Sequence, residues 1–236
     1  MEKYTAIVLA GGSGKRMNAR VHKQYLEVNG RPLIYYSLKA FESSAVDEII
    51  LVCGAGEEEY CQKEIIDKYQ IKKVKAIVAG GKERYHSVYQ GLLTAGDPDY
   101  VLIHDGARPM VDAEMIKRSM DSVKQYKACV AAMPVKDTIK VADENAFAKE
   151  TPERSRLWQI QTPQTFSYPL VRQAYEKMLE KEDGTITDDA MVVERMTQVP
   201  VKLIEGNYRN IKVTTPEDLL ITELYLQSSA KKMKKY

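Results

Sequence analysis

The chain changes from a short apolar run to a glycine-rich turn at Ala6-Ile7-Val8-Leu9-Ala10-Gly11-Gly12-Ser13-Gly14-Lys15-Arg16-Met17, where a Lys-Arg pair follows three glycines within four residues. Glycine permits a backbone turn with positive φ and lets bare N–H groups approach a ligand. Successive N–H groups in such a turn form a concave site for an anion. Because Lys15 and Arg16 stand beside the turn and Lys23 follows soon after, the stretch predicts a binding site for a polyphosphate.

Two well-known phosphate loops do not fit this stretch. A P-loop has the pattern G-x-x-x-x-G-K-[ST], but Leu9 stands at its first glycine and Arg16 at its Ser/Thr. A dinucleotide fingerprint, G-x-G-x-x-G, would need glycine in place of Met17. The stretch is therefore either a third kind of phosphate loop or an ordinary glycine-rich turn, and the basic residues favour the phosphate loop.

Short apolar runs alternate with amphipathic stretches along most of the chain. Predicted strands occupy residues 4–9, 48–53, 74–79, 100–104, 130–135, 201–204 and 211–214. Predicted helices begin near Pro32, Glu57, Tyr85, Asp112, Pro169, Asp188 and Pro216. The first has an apolar face of Ile34, Leu38 and Phe41, and the last ends near Leu226. This alternation, without internal repeats or a linker, implies a single α/β domain over residues 1–236, with a mostly parallel, twisted sheet and helices on both faces.

The ligands of open α/β sheets bind beyond the carboxyl ends of the strands. The first predicted strand brings the glycine loop to that edge, the third brings Gly80-Gly81, and the fourth brings Asp105. We therefore expect these three segments, which are distant in sequence, to meet in one site.

Residues 136–157 interrupt the alternation. Polar and apolar residues alternate over 136–141, a turn follows at Asp143-Glu144-Asn145, and Ala146-Phe147-Ala148 predicts a returning strand. A two-stranded hairpin alone is marginally stable in water, so this inserted β-arm is expected to pack on another surface. A second copy of the chain is the natural candidate, and the arm therefore predicts a homodimer.

Composition excludes several classes of protein. The 236 residues carry a formal net charge of +2, which is too small to indicate nucleic-acid or membrane binding. Cys53, Cys61 and Cys129 lack the spacing of a metal site and are expected to be free thiols in a reducing compartment. Because no long apolar run or signal-peptide pattern is present either, we expect a cytoplasmic protein.

Six segments between the first predicted strand and the last helix share one resemblance. They are residues 9–17 (LAGGSGKRM), 23–25 (KQY), 104–109 (HDGARP), 135–138 (VKDT), 161–164 (QTPQ) and 210–214 (NIKVT). Together they resemble the 2-C-methyl-D-erythritol 4-phosphate cytidylyltransferase family of the non-mevalonate route to isoprenoids. The resemblance implies a Rossmann-like nucleotidyltransferase fold and transfer of a cytidylyl group from CTP to the polyol phosphate, with release of pyrophosphate.

The resemblance also implies roles for individual residues. Arg16 and Lys23 would be catalytic and would stabilise the charge at the α-phosphorus. The implied CTP-binding residues are Ala10, Gly11, Gly12, Gly14, Lys15, Gly81, Ser87 and Asp105. Asp105 would also hold Mg²⁺ or another divalent cation. The implied ligands of the acceptor phosphate are Thr138, Arg154 and Lys212, of which the first two, on the arm, would serve the partner subunit's site.

The residue types suit this chemistry. A phosphate monoester is already mostly ionised near neutral pH, because its second pKa is about 6. It needs no general base, and the sequence has no triad-like set of His or Cys. The barrier is the repulsion between two anions, which positioned cations and N–H groups lower. His86 and His104 are accordingly interpreted as structural.

Several alternatives stay open at this stage. A ribitol-5-phosphate cytidylyltransferase would share the loop and the reaction, and a catalytically inactive nucleotide-binding module would share the fold. A nicotinamide dehydrogenase is disfavoured, because Met17 stands where its fingerprint needs glycine. Taken singly, Lys23 is also compatible with a surface lysine and Asp105 with a turn residue.

Two positions depart from the family pattern: His22 replaces a usual proline, which predicts a more mobile lysine segment, and Arg209 replaces a frequent acid.

Overall fold

The computed structural model describes residues 2–12, 22–181 and 185–233. Its strands are β1 (Tyr4–Leu9), β2 (Glu27–Val28), β3 (Arg31–Pro32), β4 (Glu48–Cys53), β5 (Val74–Ala79), β6 (Tyr100–Asp105), β7 (Ala128–Pro134), β8 (Val141–Ala142), β9 (Ala148–Glu150), β10 (Trp158–Ser167) and β11 (Lys202–Glu205). Its helices are α1 (Leu33–Glu42), α2 (Glu58–Tyr60, continued by a π-helix over Cys61–Asp67), α3 (Arg84–Thr94), α4 (Ala113–Tyr126), α5 (Tyr168–Lys181), α6 (Asp189–Met196) and α7 (Pro216–Met233). Short 3-10 turns lie at Lys23–Tyr25 and Arg154–Arg156.

Within these residues the strands form a central seven-stranded sheet in the order β11-β7-β10-β6-β1-β4-β5. β1 pairs in parallel with both β4 and β6, and the pairs β4–β5 and β7–β11 are also parallel. β10 alone runs antiparallel, between β6 and β7. The prediction of a mostly parallel α/β sheet is confirmed.

The antiparallel strand β10 follows from the inserted arm. β7 leads into the arm, the chain reverses there, and β10 returns beside β7. The sequence pattern around Gln161 did not predict this ten-residue strand, because Pro163 interrupts it and proline cannot donate a ladder hydrogen bond. The structure accommodates the proline where the register against β7 shifts, between Ile160 and Gln164.

Helices cover both faces of the sheet, as predicted. One apolar cluster joins the sheet to α1, the π-helix and α4, and a second joins it to α3, α5 and α6. Ile34, Leu38 and Phe41, the predicted apolar face of α1, are completely buried. None of the helices in the described ranges has the combination of length and apolarity that a bilayer span requires.

Three details of the predicted secondary structure were wrong. Residues 211–214 form no strand, because Val213 N donates to Ala107 O (2.8 Å) and Val213 O accepts from the Lys23 side chain (2.9 Å) instead of pairing with a neighbouring strand. The second arm strand lies at 148–150 and not at 146–148, because Ala146 takes a positive φ of 63° in the turn. α7 begins at Pro216 as predicted but continues to Met233, beyond its expected end near Leu226.

His104 is a buried, neutral residue of β6, as its structural interpretation requires. Its Nδ1 lies 2.9 Å from Thr162 Oγ1 and its Nε2 lies 3.2 Å from Arg108 O, while the Phe41 ring contacts the imidazole in a T-shaped arrangement. Burial lowers the pKa of His104 to about 4.

This pKa predicts a pH-dependent stability. Between about pH 6.5 and about pH 4 the unfolded chain binds a proton at this side chain and the folded chain does not, so acidification should destabilise the fold by up to roughly 3 kcal/mol. Urea unfolding across this range should show the loss for the wild type and a flatter slope for His104→Gln. Equal slopes for the wild type and His104→Gln would contradict the prediction.

Candidate active site

A cleft of about 330 Å³ lies at the carboxyl ends of β1 and β6. Residues from four distant parts of the chain line it: Leu9, Ala10, Gly11, Gly12, Lys23, Gln24, Gly81, Lys82, Glu83, Arg84, Ser87, Asp105, Ala107 and Lys212. The expected meeting of the first, third and fourth strand ends is therefore observed. The predicted residues Gly14, Lys15 and Arg16 lie outside the described residues.

Tertiary contacts hold the start of the glycine loop. Ala10 N donates to Val52 O (2.6 Å), and the Gln24 side chain donates to Ala10 O. A Cβ at Gly11 would lie 3.2 Å from Cys53 O, so a side chain at this position would crowd the end of β4. Gly12, by contrast, faces open space, where its amide can meet a ligand.

The second wall of the cleft is the beginning of α3. Ser87 Oγ accepts a hydrogen bond from Gly81 N (3.1 Å), and a Cβ at Gly81 would lie only 2.3 Å from the His86 Cβ. His86 itself accepts from Glu83 N (3.3 Å), which caps the helix. Glycine at position 81 and the Ser87 hydroxyl therefore fix this part of the backbone at the edge of the cleft.

Asp105 is the anionic centre of the site. Its carboxylate lies 3.2 Å from Arg84 Nε, 2.8 Å from Lys212 Nζ and 3.9 Å from Arg108 Nε. Burial by itself would raise the pKa of Asp105, but the charges of Arg84, Lys212 and Arg108 together lower it far below its usual value. Asp105 is therefore more than a turn residue: it is a permanent carboxylate that orders three cations around the cleft.

Arg84 is a site residue that the sequence did not reveal. Its guanidinium binds the carboxylate of Asp189 through two hydrogen bonds of 2.8 Å each, while Nε contacts Asp105. Asp189 is completely buried and also accepts from the Tyr175 hydroxyl. The only signal in the sequence was the position of Arg84 shortly after Gly80-Gly81; Asp189 had the pattern of an ordinary acid at a helix start.

Two lysines complete the charged rim. Lys23 Nζ donates to Val213 O (2.9 Å), so the segment that precedes α7 lies beside the Lys23 side chain. Lys212, the residue before Val213, belongs to the same segment. Lys23 and Val213 are 190 residues apart in the sequence, so the sequence did not indicate that they are in contact. The described part of the cleft is accordingly rich in positive charge, which suits a polyanionic ligand.

Thr138 and Arg154 do not reach this cleft within one chain. Both are exposed on the arm, where Arg154 Nη1 donates to Lys136 O (3.2 Å). The arm also exposes large apolar side chains, including Phe147, which is 73% accessible. Their assignment to a partner subunit's site stays a prediction.

The described residues of the cleft include carboxylates but no preformed metal site. No cluster of three or more His, Cys, Asp or Glu side chains is arranged for a metal in the part of the chain that the structure describes. Mg²⁺ commonly binds one or two carboxylates together with phosphate oxygens and water. Asp105 offers one such carboxylate at the edge of the cleft.

Comparisons with known proteins agree with this geometry. A family model described as "IspD: 2-C-methyl-D-erythritol 4-phosphate cytidylyltransferase" matches residues 4–228. A protein of that name from Lachnospira eligens is 53% identical over 226 residues, 94% of this chain and 99% of the relative. Another from Lachnoclostridium phytofermentans is 47% identical over 227 residues, 96% and 97% of the two chains. The crystal structure of a 4-diphosphocytidyl-2C-methyl-D-erythritol synthase from Anaerococcus prevotii is 34% identical, with a TM-score of 0.84 over 96% of both chains.

The buried Asp189–Arg84 pair predicts that the stability losses from mutating its two members are not additive. Asp189→Asn should lower the free energy of unfolding by about 3 kcal/mol, because it leaves the Arg84 charge without its buried partner. Adding Arg84→Met should cost less than the sum of the single losses. Urea unfolding measures both effects, with Asp121→Asn at the exposed pair with Lys117 as a control expected to change stability by less than about 1 kcal/mol. Additive losses would contradict the coupling.

Proposed function

This chain belongs to the 2-C-methyl-D-erythritol 4-phosphate cytidylyltransferase family, and from that membership we propose that it transfers the cytidylyl group of CTP to 2-C-methyl-D-erythritol 4-phosphate. The products are 4-(cytidine 5'-diphospho)-2-C-methyl-D-erythritol and pyrophosphate, in the synthesis of isoprenoid precursors. The observation that carries the proposal is the convergence of the glycine loop, Lys23, Asp105 and Lys212 on one cleft at the carboxyl ends of β1 and β6.

The reaction is a displacement at phosphorus. A phosphate oxygen of the acceptor forms a bond to the α-phosphorus of CTP, and the bond from that phosphorus to the bridging oxygen of the β-phosphate breaks, so pyrophosphate leaves with the electron pair. The nucleophile is already ionised near neutral pH. His104, with its lowered pKa and both ring nitrogens in contact with protein atoms, is not needed as a base.

The residues of the cleft support this reaction by position and charge. Backbone N–H groups of the loop that begins at Gly11 bind the triphosphate, and Gly81, Ser87 and Asp105 bind cytosine and ribose. Lys23, together with Arg16 outside the described residues, stabilises the charge that builds up at the α-phosphorus. A single arginine in comparable chemistry is worth on the order of 10³–10⁵ in rate, and we expect Arg16 and Lys23 each to contribute in or somewhat below that range.

A divalent cation, most simply Mg²⁺, completes the proposed site, with Asp105 as its protein ligand. When bound, it would neutralise part of the charge on the triphosphate and so favour the approach of an anionic acceptor.

The buried free thiols of Cys53, Cys61 and Cys129 support a reducing compartment, and we propose the cytoplasm.

We further propose that the active unit is a homodimer. Thr138 and Arg154 stand on an exposed two-stranded arm, too small to be stable by itself. The exposed Ile139, Val141 and Phe147 give this arm an apolar surface that association would cover. In the dimer, Thr138 and Arg154 of one chain bind the acceptor phosphate at the other chain's cleft, where Lys212 contributes the remaining contact.

An acceptor panel tests the reaction. The purified protein is incubated with CTP, Mg²⁺ and either 2-C-methyl-D-erythritol 4-phosphate or ribitol 5-phosphate, and pyrophosphate release is followed. We expect turnover with the methylerythritol phosphate. Preference for the ribitol phosphate would establish the alternative acceptor, and CTP binding without release from either acceptor would indicate an inactive nucleotide-binding module.

Mixed dimers test the shared site. Lys23→Ala and Arg154→Ala subunits should each be almost inactive, but an exchanged pair should contain one intact site, because both lesions then fall in the other site. A 1:1 mixture should therefore recover about a quarter of the wild-type rate. A mixture of Lys23→Ala with Lys212→Ala is the control, since both lesions affect the subunit's own cleft in different chains and no site becomes intact. No recovery after proven subunit exchange would show that each site comes from one chain.

A further inference from the structure

The carboxylate of Glu57, on the loop after β4, makes a set of contacts that the proposed mechanism does not use. Its Oε2 accepts from the Tyr25 hydroxyl (2.8 Å) and from Gly54 N (2.9 Å), and its Oε1 lies 2.5 Å from His22 Nδ1. His22 and Tyr25 stand on either side of Lys23 in the chain. Glu57 therefore contacts both ends of the short segment that carries the proposed catalytic lysine.

The surroundings are shaped for this carboxylate. A Cβ at Gly54 would lie 2.6 Å from Glu57 Oε2, so the carboxylate occupies space that only glycine leaves open. Tyr25 is buried, and its burial, together with the Cys61 thiol and the Glu57 carboxylate, raises the pKa of Tyr25. The phenol therefore keeps its proton and remains a hydrogen-bond donor to Glu57.

The lysine segment needs such external support. Lys23–Tyr25 is a single 3-10 turn, held internally by hydrogen bonds from Tyr25 N to His22 O and from Leu26 N to Lys23 O. A turn of this length has little stability of its own. Contacts from other parts of the fold must therefore set the direction in which the lysine side chain leaves the backbone.

The backbone of His22 shows what the contact with Glu57 achieves. His22 has φ of −58° and ψ of 138°, within the range that a proline ring would impose. The resemblance described above implies proline at this position, and its replacement by His22 predicted a more mobile segment. In this chain the close contact between Glu57 Oε1 and His22 Nδ1 takes the place of that ring.

We propose that Glu57 is a positioning residue for catalysis: by binding His22 and Tyr25 it fixes the turn that aims Lys23 at the transferring phosphorus. The inference rests on the proposed function, because it acts through Lys23. Glu57 itself touches no substrate and carries no proton in the reaction.

The first test asks whether catalysis depends on the Glu57 carboxylate itself rather than on the neighbouring acidic residues. Glu57→Gln should lower kcat about tenfold and leave the KM for CTP nearly unchanged, because a misdirected lysine loses its contact in the transition state rather than in the ground state. Gly54→Ala, which displaces the carboxylate without removing it, should cause a similar loss. Glu59→Gln is the matched control: this exposed neighbour pairs with Lys63, and its loss should leave kcat unchanged.

Two double variants decide the mechanism of the effect. In a Lys23→Ala background Glu57→Gln should cost no further activity, and in a His22→Pro background it should cost much less than in the wild type, because the ring replaces the contact between His22 and Glu57. Equal losses of kcat in all backgrounds, or an unchanged kcat for Glu57→Gln, would overturn the inference.

Failure of the inference can be told apart from failure of the proposed function. If Lys23→Ala alone keeps full activity, the catalytic assignment of Lys23 is wrong. If Lys23→Ala is inactive and Glu57→Gln is fully active, only the positioning role is wrong. Thermal unfolding of each variant in the absence of substrate detects any general loss of stability. If the Glu57→Gln protein is unstable, Gly54→Ala replaces it in the test, and its loss of kcat is compared with and without His22→Pro.

Discussion

The attraction between the Asp105 carboxylate and the cations around it is the interaction on which the site depends. Arg84 and Lys212 would repel one another if Asp105 did not lie between them. The buried Asp189 holds Arg84 from the other side, so the guanidinium is fixed by two carboxylates. The positive charge is thus ordered before any ligand binds, and a site organised in advance stabilises transition-state charge without the cost of rearranging it during the reaction.

The sheet order explains why these charges meet. From β1 the chain moves to β4 and then to β5 on one side, and it next returns to β6 on the other side. The connections therefore diverge at the carboxyl end of β1, which is where crevices form in open α/β sheets. The glycine loop leaves β1 at this point and Asp105 ends β6, so backbone amides and charged side chains face the same space.

Acidic residues that look alike in the sequence have different roles in the fold. Glu57, Glu58 and Glu59 form one acidic run at the start of a predicted helix, where the positive end of the helix dipole favours acidic residues. In the structure only Glu57 turns inward, towards Tyr25 and His22, because Gly54 leaves room for its carboxylate. Asp189 is a similar case, since a residue with the pattern of a helix start is the buried partner of Arg84.

The sequence by itself determined the features that are local. Apolar runs and helix caps gave most strands and helices, the glycines and their cations gave the phosphate loop, and six motifs gave the family. Only the tertiary structure decided that β10 runs antiparallel, that residues 211–214 form no strand, and that Arg84 pairs with Asp189. Periodicity and turn chemistry act over a few neighbouring residues, whereas the partner of a charge or of a strand is chosen by which distant segments the folded chain brings within a few ångströms.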